Sequence, residues 1–163
     1  GHLFCPNNKK AKKVYLPNVQ YIEDYFLKEN EELKYIELPS VIKIGNNFFT
    51  ENVDLNFIYM PYLEEVGDSF LYKNNEITYL CLPNLKSFEH SFMRLNKKIE
   101  IIELPKLEEI SIYYLEYAKL VNTIVVPENI RNSFIYRNKA FCDNFRTERK
   151  DKNKVKTRQY CYN

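Results

Sequence analysis

Glycine is scarce: the chain has three glycines in 163 residues, and neither a GxGxxG nor a GKS/T loop occurs, so phosphate-cradling loops of those kinds are excluded. Tryptophan is absent, and the aromatic content comes from fourteen tyrosines and eleven phenylalanines. That stiff, aromatic-rich composition argues against disorder over most of the length. Of the two histidines, His2 lies in Gly1-His2, which reads as the scar of a removed tag, and a single His90 supports neither a His/Cys metal cluster nor a serine triad. The four cysteines (Cys5, Cys81, Cys142, Cys161) show no CxxC spacing, which removes zinc ribbons and thioredoxin-type sites. No apolar run approaches the length of a membrane span. With no starting methionine, any leader is left undecided.

The net charge of +2 hides a segregation. Residues 1–13 carry four lysines and no acid, residues 146–163 carry seven basic residues against two acidic ones, and the middle, 14–145, has 13 basic and 20 acidic residues, a net −7. The length suits one domain with a real core.

What the sequence does have is a period. Prolines fall at 17, 39, 61, 83, 105 and 127, an unbroken interval of 22 residues that marks a solenoid. Two positions after each of the first five stand Val19, Val41, Leu63, Leu85 and Leu107, and at offset nine Phe26, Phe48, Phe70, Phe92 and Tyr114. Offset thirteen is Asn30, Asn52, Asn74 and Asn96, until Ala118 breaks the column. Each unit, read as LxxIxLPxL, supplies a short strand in which Ile36 and Leu38 point inward while Tyr35 and Glu37 point outward. One strand per unit makes the strands parallel. Stacking turns the columns into continuous buried ridges, with Ile36, Ile58, Leu80 and Ile102 inside, each burial contributing roughly 1.5–3 kcal/mol. The asparagine column fits a ladder whose side chains satisfy turn backbone groups in their own or the next coil. Proline closes each strand's ladder because it has no amide donor.

These residues resemble the BspA-type leucine-rich repeats, whose pattern LPxLxxIGxxFFxxNxxLxxIxL is nearly intact from Leu38 to Met60. The resemblance covers residues 4 to about 127, and the bulky pairs Phe48-Phe49 and Phe70-Leu71 after Gly45 and Gly67 separate it from the shorter repeats of bacterial ubiquitin-ligase effectors. It implies an α/β solenoid: a right-handed arc with a concave parallel β-sheet, short helical or irregular convex turns, and a C-terminal capping helix. It also implies a protein-binding role, adhesin-like or secreted-effector-like, at a cell surface or in secretion. The fifth unit departs from the pattern, lacking the asparagine, and glycine is missing from units one, four and five.

Extending the register backward puts Phe4 and Asn8 in repeat columns, so the chain opens inside a unit; a fragment of a longer array is the preferred reading, with self-association through the uncapped first coil as a consequence. After Pro127 the pattern fails, and Ile130, Phe134, Phe141 and Phe145 recur at roughly helical spacing. The expected organisation is therefore a scar and start over 1–3, the array over 4–127, a cap over 128–145 and a basic tail over 146–163.

Catalytic groups do not converge. Glu37 and Glu103 share an outward column three strands apart, roughly 14 Å at about 4.8 Å per strand, wider than the 5 to 9.5 Å or so that separates glycosidase carboxylates. Glu64-Glu65 and Glu108-Glu109 read as solvated turn residues, and His90 shares a polar turn column with Asp24, Asn46 and Asp68. No enzyme, cofactor, metal or small-molecule substrate is expected. Cys81 faces outward and reads as a free thiol substituting for a polar surface residue. The informative feature is the outward row: Tyr15, Tyr35, Phe57, Tyr59 and Tyr79, flanked by Glu37 and Glu103, form an aromatic patch on the concave sheet. It reads either as a cross-strand ladder that stiffens the sheet or as a protein-binding surface, with a host protein among the candidate partners. Binding is preferred because solenoid concave faces are open. The alternative is anionic-surface or nucleic-acid binding through the basic tail. The acidic array and the lack of arginines between the strand aromatics argue against nucleic acid.

Overall fold

The structure, a computed structural model, describes residues 10–137. The expected scar, residues 4–9 of the first unit, residues 138–145 of the cap and the whole tail lie outside the described residues, as do Cys5, Cys142 and Cys161. Six three-residue strands occupy the LxxIxL positions: β1 (Lys13–Tyr15), β3 (Tyr35–Glu37), β5 (Phe57–Tyr59), β7 (Tyr79–Cys81), β9 (Ile101–Glu103) and β10 (Thr123–Val125). Four two-residue strands follow the prolines: β2 (Tyr21–Ile22), β4 (Lys43–Ile44), β6 (Glu65–Val66) and β8 (Ser87–Phe88). All pairing is parallel, in the orders β1-β3-β5, β7-β9-β10 and β2-β4-β6-β8. The register joins residues 22 apart, such as Val14 with Ile36 and Ile36 with Ile58, so the sequence period is the distance once around a coil. About five turns stack into a parallel-strand solenoid with the core between the sheets.

Because successive strand residues face opposite ways, Ile36, Leu80 and Ile102 are buried beneath the three-residue strands, and Leu38, Leu82 and Leu104 beside them. The amides of Leu38, Leu82 and Leu104 make the last bond of their rungs, to Tyr59, Glu103 and Val125 carbonyls at 2.9, 3.0 and 2.8 Å. The next residue is proline, with no amide to continue the row.

The convex turns are not helical. Among the described residues the only helix is α1 (Glu128–Arg137), and the turns instead repeat a backbone with positive φ at alternate residues: Tyr25, Leu27 and Glu29, then Asn47, Phe49 and Glu51, and so on to Tyr117. Alternation turns successive odd-numbered amides toward opposite neighbours. Asn47 and Glu51 donate forward to Asp68 and Tyr72 carbonyls at 2.7 and 2.8 Å, while Leu71 and Met93 donate back to Phe48 and Phe70 at 3.2 and 2.9 Å. The left-handed conformation costs roughly 1–2 kcal/mol per non-glycine residue; the inter-coil hydrogen bonds and the apolar column beneath offset it. That column stacks Phe26, Phe48, Phe70 and Phe92 with centroids 5.6, 6.2 and 5.7 Å apart.

The asparagine ladder is present but runs backward. Asn52, Asn74 and Asn96 donate from Nδ2 to the Leu27, Phe49 and Leu71 carbonyls of the preceding coil at 2.8, 2.6 and 2.7 Å. They also reach a carbonyl of their own turn (Thr50, Tyr72, Met93), rather than anything in the next coil. Asn30 is equally buried, and its amide has no hydrogen-bond partner among the described residues. Gly67 lies where coils approach closely: a Cβ there would come 2.9 Å from the Asn46 backbone nitrogen.

One rung of the concave sheet is open. No strand pairing or backbone hydrogen bond joins β5 to β7 among the described residues, whereas β6 and β8 pair and the turns on both sides keep their inter-coil bonds. The coils are therefore wedged apart on the concave side alone. Ile58, expected inside with its column, packs against the core but is only partly buried. At the far end Pro127 offers its carbonyl to the Ile130 and Arg131 amides at 3.1 and 3.0 Å. Glu128 sits in the first turn, where the helix dipole favours an acid, and Ile130 is buried against the last coil.

Candidate functional site

The concave strands present two outward columns. The first runs Lys13, Tyr35, Phe57, then across the open rung Tyr79, Ile101, Thr123; the second runs Tyr15, Glu37, Tyr59, then Cys81, Glu103, Val125. All seven residues singled out in the sequence thus lie on one face. Tyr35 and Phe57 touch across neighbouring strands with centroids 6.1 Å apart, an arrangement worth about 0.5–1.5 kcal/mol beyond its buried area. Tyr15 and Tyr35 are 56% and 47% exposed, while Phe57, Tyr59 and Tyr79 are half-buried. The two acids are engaged within the face: Lys13 Nζ donates to Glu37 at 2.9 Å and Tyr79 Oη to Glu103 at 2.9 Å.

The open rung forms a cavity of about 240 Å³ lined by Phe57, Ile58, Tyr59, Tyr79 and Cys81, with Asn56 and Thr78 at its polar end. Sequence reasoning missed it, because every buried column continues without a fault through residues 57–82. The available signal was the crowding of Phe57 and Tyr59 opposite Tyr79 and Cys81. Cys81 requires a correction: its sulfur is in a disulfide bond and is not a free thiol. Cysteine pairing is not deducible from spacing alone.

The glutamate doublet at 64–65 proves to be ion-paired between coils. Lys86 reaches Glu64 and Lys43 reaches Glu65, both at 2.6 Å, and Lys73 reaches Glu51 at 3.0 Å. The hydrogen bond that Lys43 donates to Glu65, then the charge of that carboxylate, raises the Lys43 pKa above the ordinary 10.5. Glu51 does the same for Lys73, and the Glu64 hydrogen bond for Lys86. A raised folded-state pKa supports stability below the unfolded value and loses that support as pH rises past the folded one, so these exposed pairs lend their small support below about pH 10.5 and lose it only at higher pH.

The polar turn column brings Asp68, Glu89 and His90 together, with one ligand atom from each within 4.8 Å of the others. Sequence reasoning had placed Asp68 and His90 in one column without seeing that Glu89 joins them. His90 Nδ1 contacts Ser111 Oγ, which resembles part of a triad, but Asp68 Oδ1 accepts the His90 backbone amide at 2.9 Å. The carboxylate therefore continues the ladder that Asp24 and Asn46 begin, each accepting the amide 22 residues on, instead of orienting the imidazole.

No described helix is long and apolar enough to cross a membrane. No significant match was found among curated proteins or solved structures. A family model for the BspA type leucine rich repeat region matches residues 20–146 in six copies, beginning later and ending later than the 4–127 read from the columns. The match spans most of the sequence and takes in the stacked coils from β2 onward. The chain belongs to the BspA-type leucine-rich-repeat family.

Proposed function

We propose that this chain is a non-enzymatic binding module that grips a protein partner on the concave aromatic face. Leucine-rich repeats typically mediate protein–protein interaction and are in general binding scaffolds without catalysis. The observation that carries the finer reading is the Tyr35–Phe57 pair: two rings on adjacent strands, one 47% exposed, beside half-buried Tyr59 and Tyr79. Tyrosine and phenylalanine are enriched in interface cores, and a rim that includes Lys13, Glu37 and Glu103 supplies orientation. BspA-type proteins are often at the surface or secreted. An adhesin-like or secreted-effector-like role suits that setting, as does the disulfide at Cys81, since such bonds persist in oxidising compartments.

The test is capture from extracellular-matrix and cell-lysate proteins on the immobilised full chain, followed by affinity measurement for the captured partner. Truncating buried aromatic anchors costs about 2 kcal/mol or more, close to thirtyfold in affinity, so Tyr35→Ala with Phe57→Ala should lose at least that much. Tyr62→Ala, at an exposed ring after Pro61, should lose nothing. Full affinity in the double variant would refute the concave site. Steep loss between low and moderate salt would instead assign binding to the basic residues at 146–163.

A further inference from the structure

We infer that Asp68, Glu89 and His90 form a binding site for a divalent transition-metal ion of the zinc type, which clamps two neighbouring coils together just beyond β6 and β8. The site lies where the second sheet gives way to the convex turns, so the inference stands apart from the concave reading.

The three side chains meet because one column changes character. The residue after each two-residue strand is Gly45 behind β4 and Gly67 behind β6, but Glu89 behind β8. A Cβ on Gly45 would run into Asp24 Oδ1, and one on Gly67 into Asn46 Oδ1, so the Cβ direction at this position aims at the ladder residue of the coil before. Glu89 carries that Cβ. The ladder residue before it is Asp68, and the one beside it is His90. The bond from this position's amide to the preceding coil lengthens to suit, from 2.8 Å at Gly45 and 3.0 Å at Gly67 to 3.2 Å at Glu89. Two carboxylates and an imidazole thus offer one ligand atom each, all within 4.8 Å of one another.

The donor set names the class of ion. An imidazole nitrogen with two carboxylates suits zinc and its first-row neighbours, whereas calcium and magnesium take oxygen ligands. Zinc holds nitrogen and oxygen at about 2.0–2.2 Å, which sets tetrahedral donors roughly 3.4 Å apart. Glu89 and His90 are both exposed, so rotation of their side chains can close the remaining distance without moving the backbone. Asp68 is held in place because its Oδ1 accepts the His90 amide at 2.9 Å, and a carboxylate has further lone pairs to give an ion. Ser111 Oγ meets His90 Nδ1, the kind of outer contact that fixes the ring of a ligand imidazole. Lys43 feels the Glu89 charge but is paired with Glu65 at 2.6 Å. A divalent ion between Asp68 and Glu89 turns the repulsion of their carboxylates into attraction. Three protein donors leave a fourth position to water.

The test is calorimetric titration of the full, unreduced chain with zinc chloride, repeated on Glu89→Gly and His90→Asn. Each variant copies a residue that a neighbouring coil already carries at that position, Gly67 and Asn46, so both should fold. The wild type should bind a zinc ion that each variant loses, with affinity falling by more than the roughly tenfold to hundredfold that an outer-shell partner is worth. Only the folded chain brings residues 68 and 90 together, so zinc should also raise the melting temperature of the wild type and leave that of both variants where it was. No zinc binding by the wild type overturns the inference. So does zinc affinity, or a zinc-induced rise in melting temperature, that either variant keeps in full.

Discussion

The convex wall and the concave sheet are built by the same repeat, yet they answer to different demands. On the convex side neighbouring coils are tied by forward and backward amides, and the central ones also by the asparagine ladder and by stacked phenylalanines. On the concave side the outward residues change character from rung to rung, and one rung is open. Identical columns therefore do not guarantee identical contacts. A solenoid's coils can hinge apart on one face while the other stays closed, and the open face is where side chains are not obliged to serve the stack.

The strongest way to break this contrast is at the phenylalanine column. Phe70 is fully buried between Phe48 and Phe92, so Phe70→Ala should lower stability by about 3–5 kcal/mol. Phe57→Ala, on the half-buried concave side, should lose well under half of that. Chemical denaturation of both variants makes the comparison, and equal losses would show that the concave aromatics belong to the core.

The asparagine ladder sharpens the contrast with a smaller effect. Asn74→Leu removes the donor to Phe49 and Tyr72 carbonyls and should cost about 1–3 kcal/mol. Asn30→Leu, at a buried amide with no hydrogen-bond partner among the described residues, should cost nothing or add stability. A large loss at Asn30 would mean that its amide is satisfied in solution. Smaller still is Ser69→Gly. Ser69 holds φ 57, and relief of that conformation less glycine's extra chain entropy leaves a gain of about 0.5–1 kcal/mol. A drop in midpoint would mean that the alternating turn differs in solution.

Legibility in the sequence followed the same division. Strand positions, the direction of pairing and the buried columns could be read because each is forced by the period: a residue 22 positions on must stack on its predecessor. The asparagines were recognised as a ladder, but their direction depends on which carbonyls the turn backbone leaves open. That turn backbone was illegible, since Tyr25, Leu27 and Glu29 are not residues that ordinarily announce positive φ. The outward placement of Tyr35, Phe57 and Tyr79 followed from alternation. The open rung and the Cys81 disulfide did not, because no periodic column records either of them.

The most direct test of an open rung is residue-resolved amide exchange on the reduced protein. Leu38, Leu82 and Leu104 donate across their rungs to Tyr59, Glu103 and Val125, whereas Met60, at the same position of its own repeat, makes no such bond to Cys81. The account predicts strong protection for the three leucine amides and exchange about tenfold or more faster at Met60. Protection at Met60 equal to that at Leu82 would contradict it, because the concave sheet would then be continuous and the cleft closed.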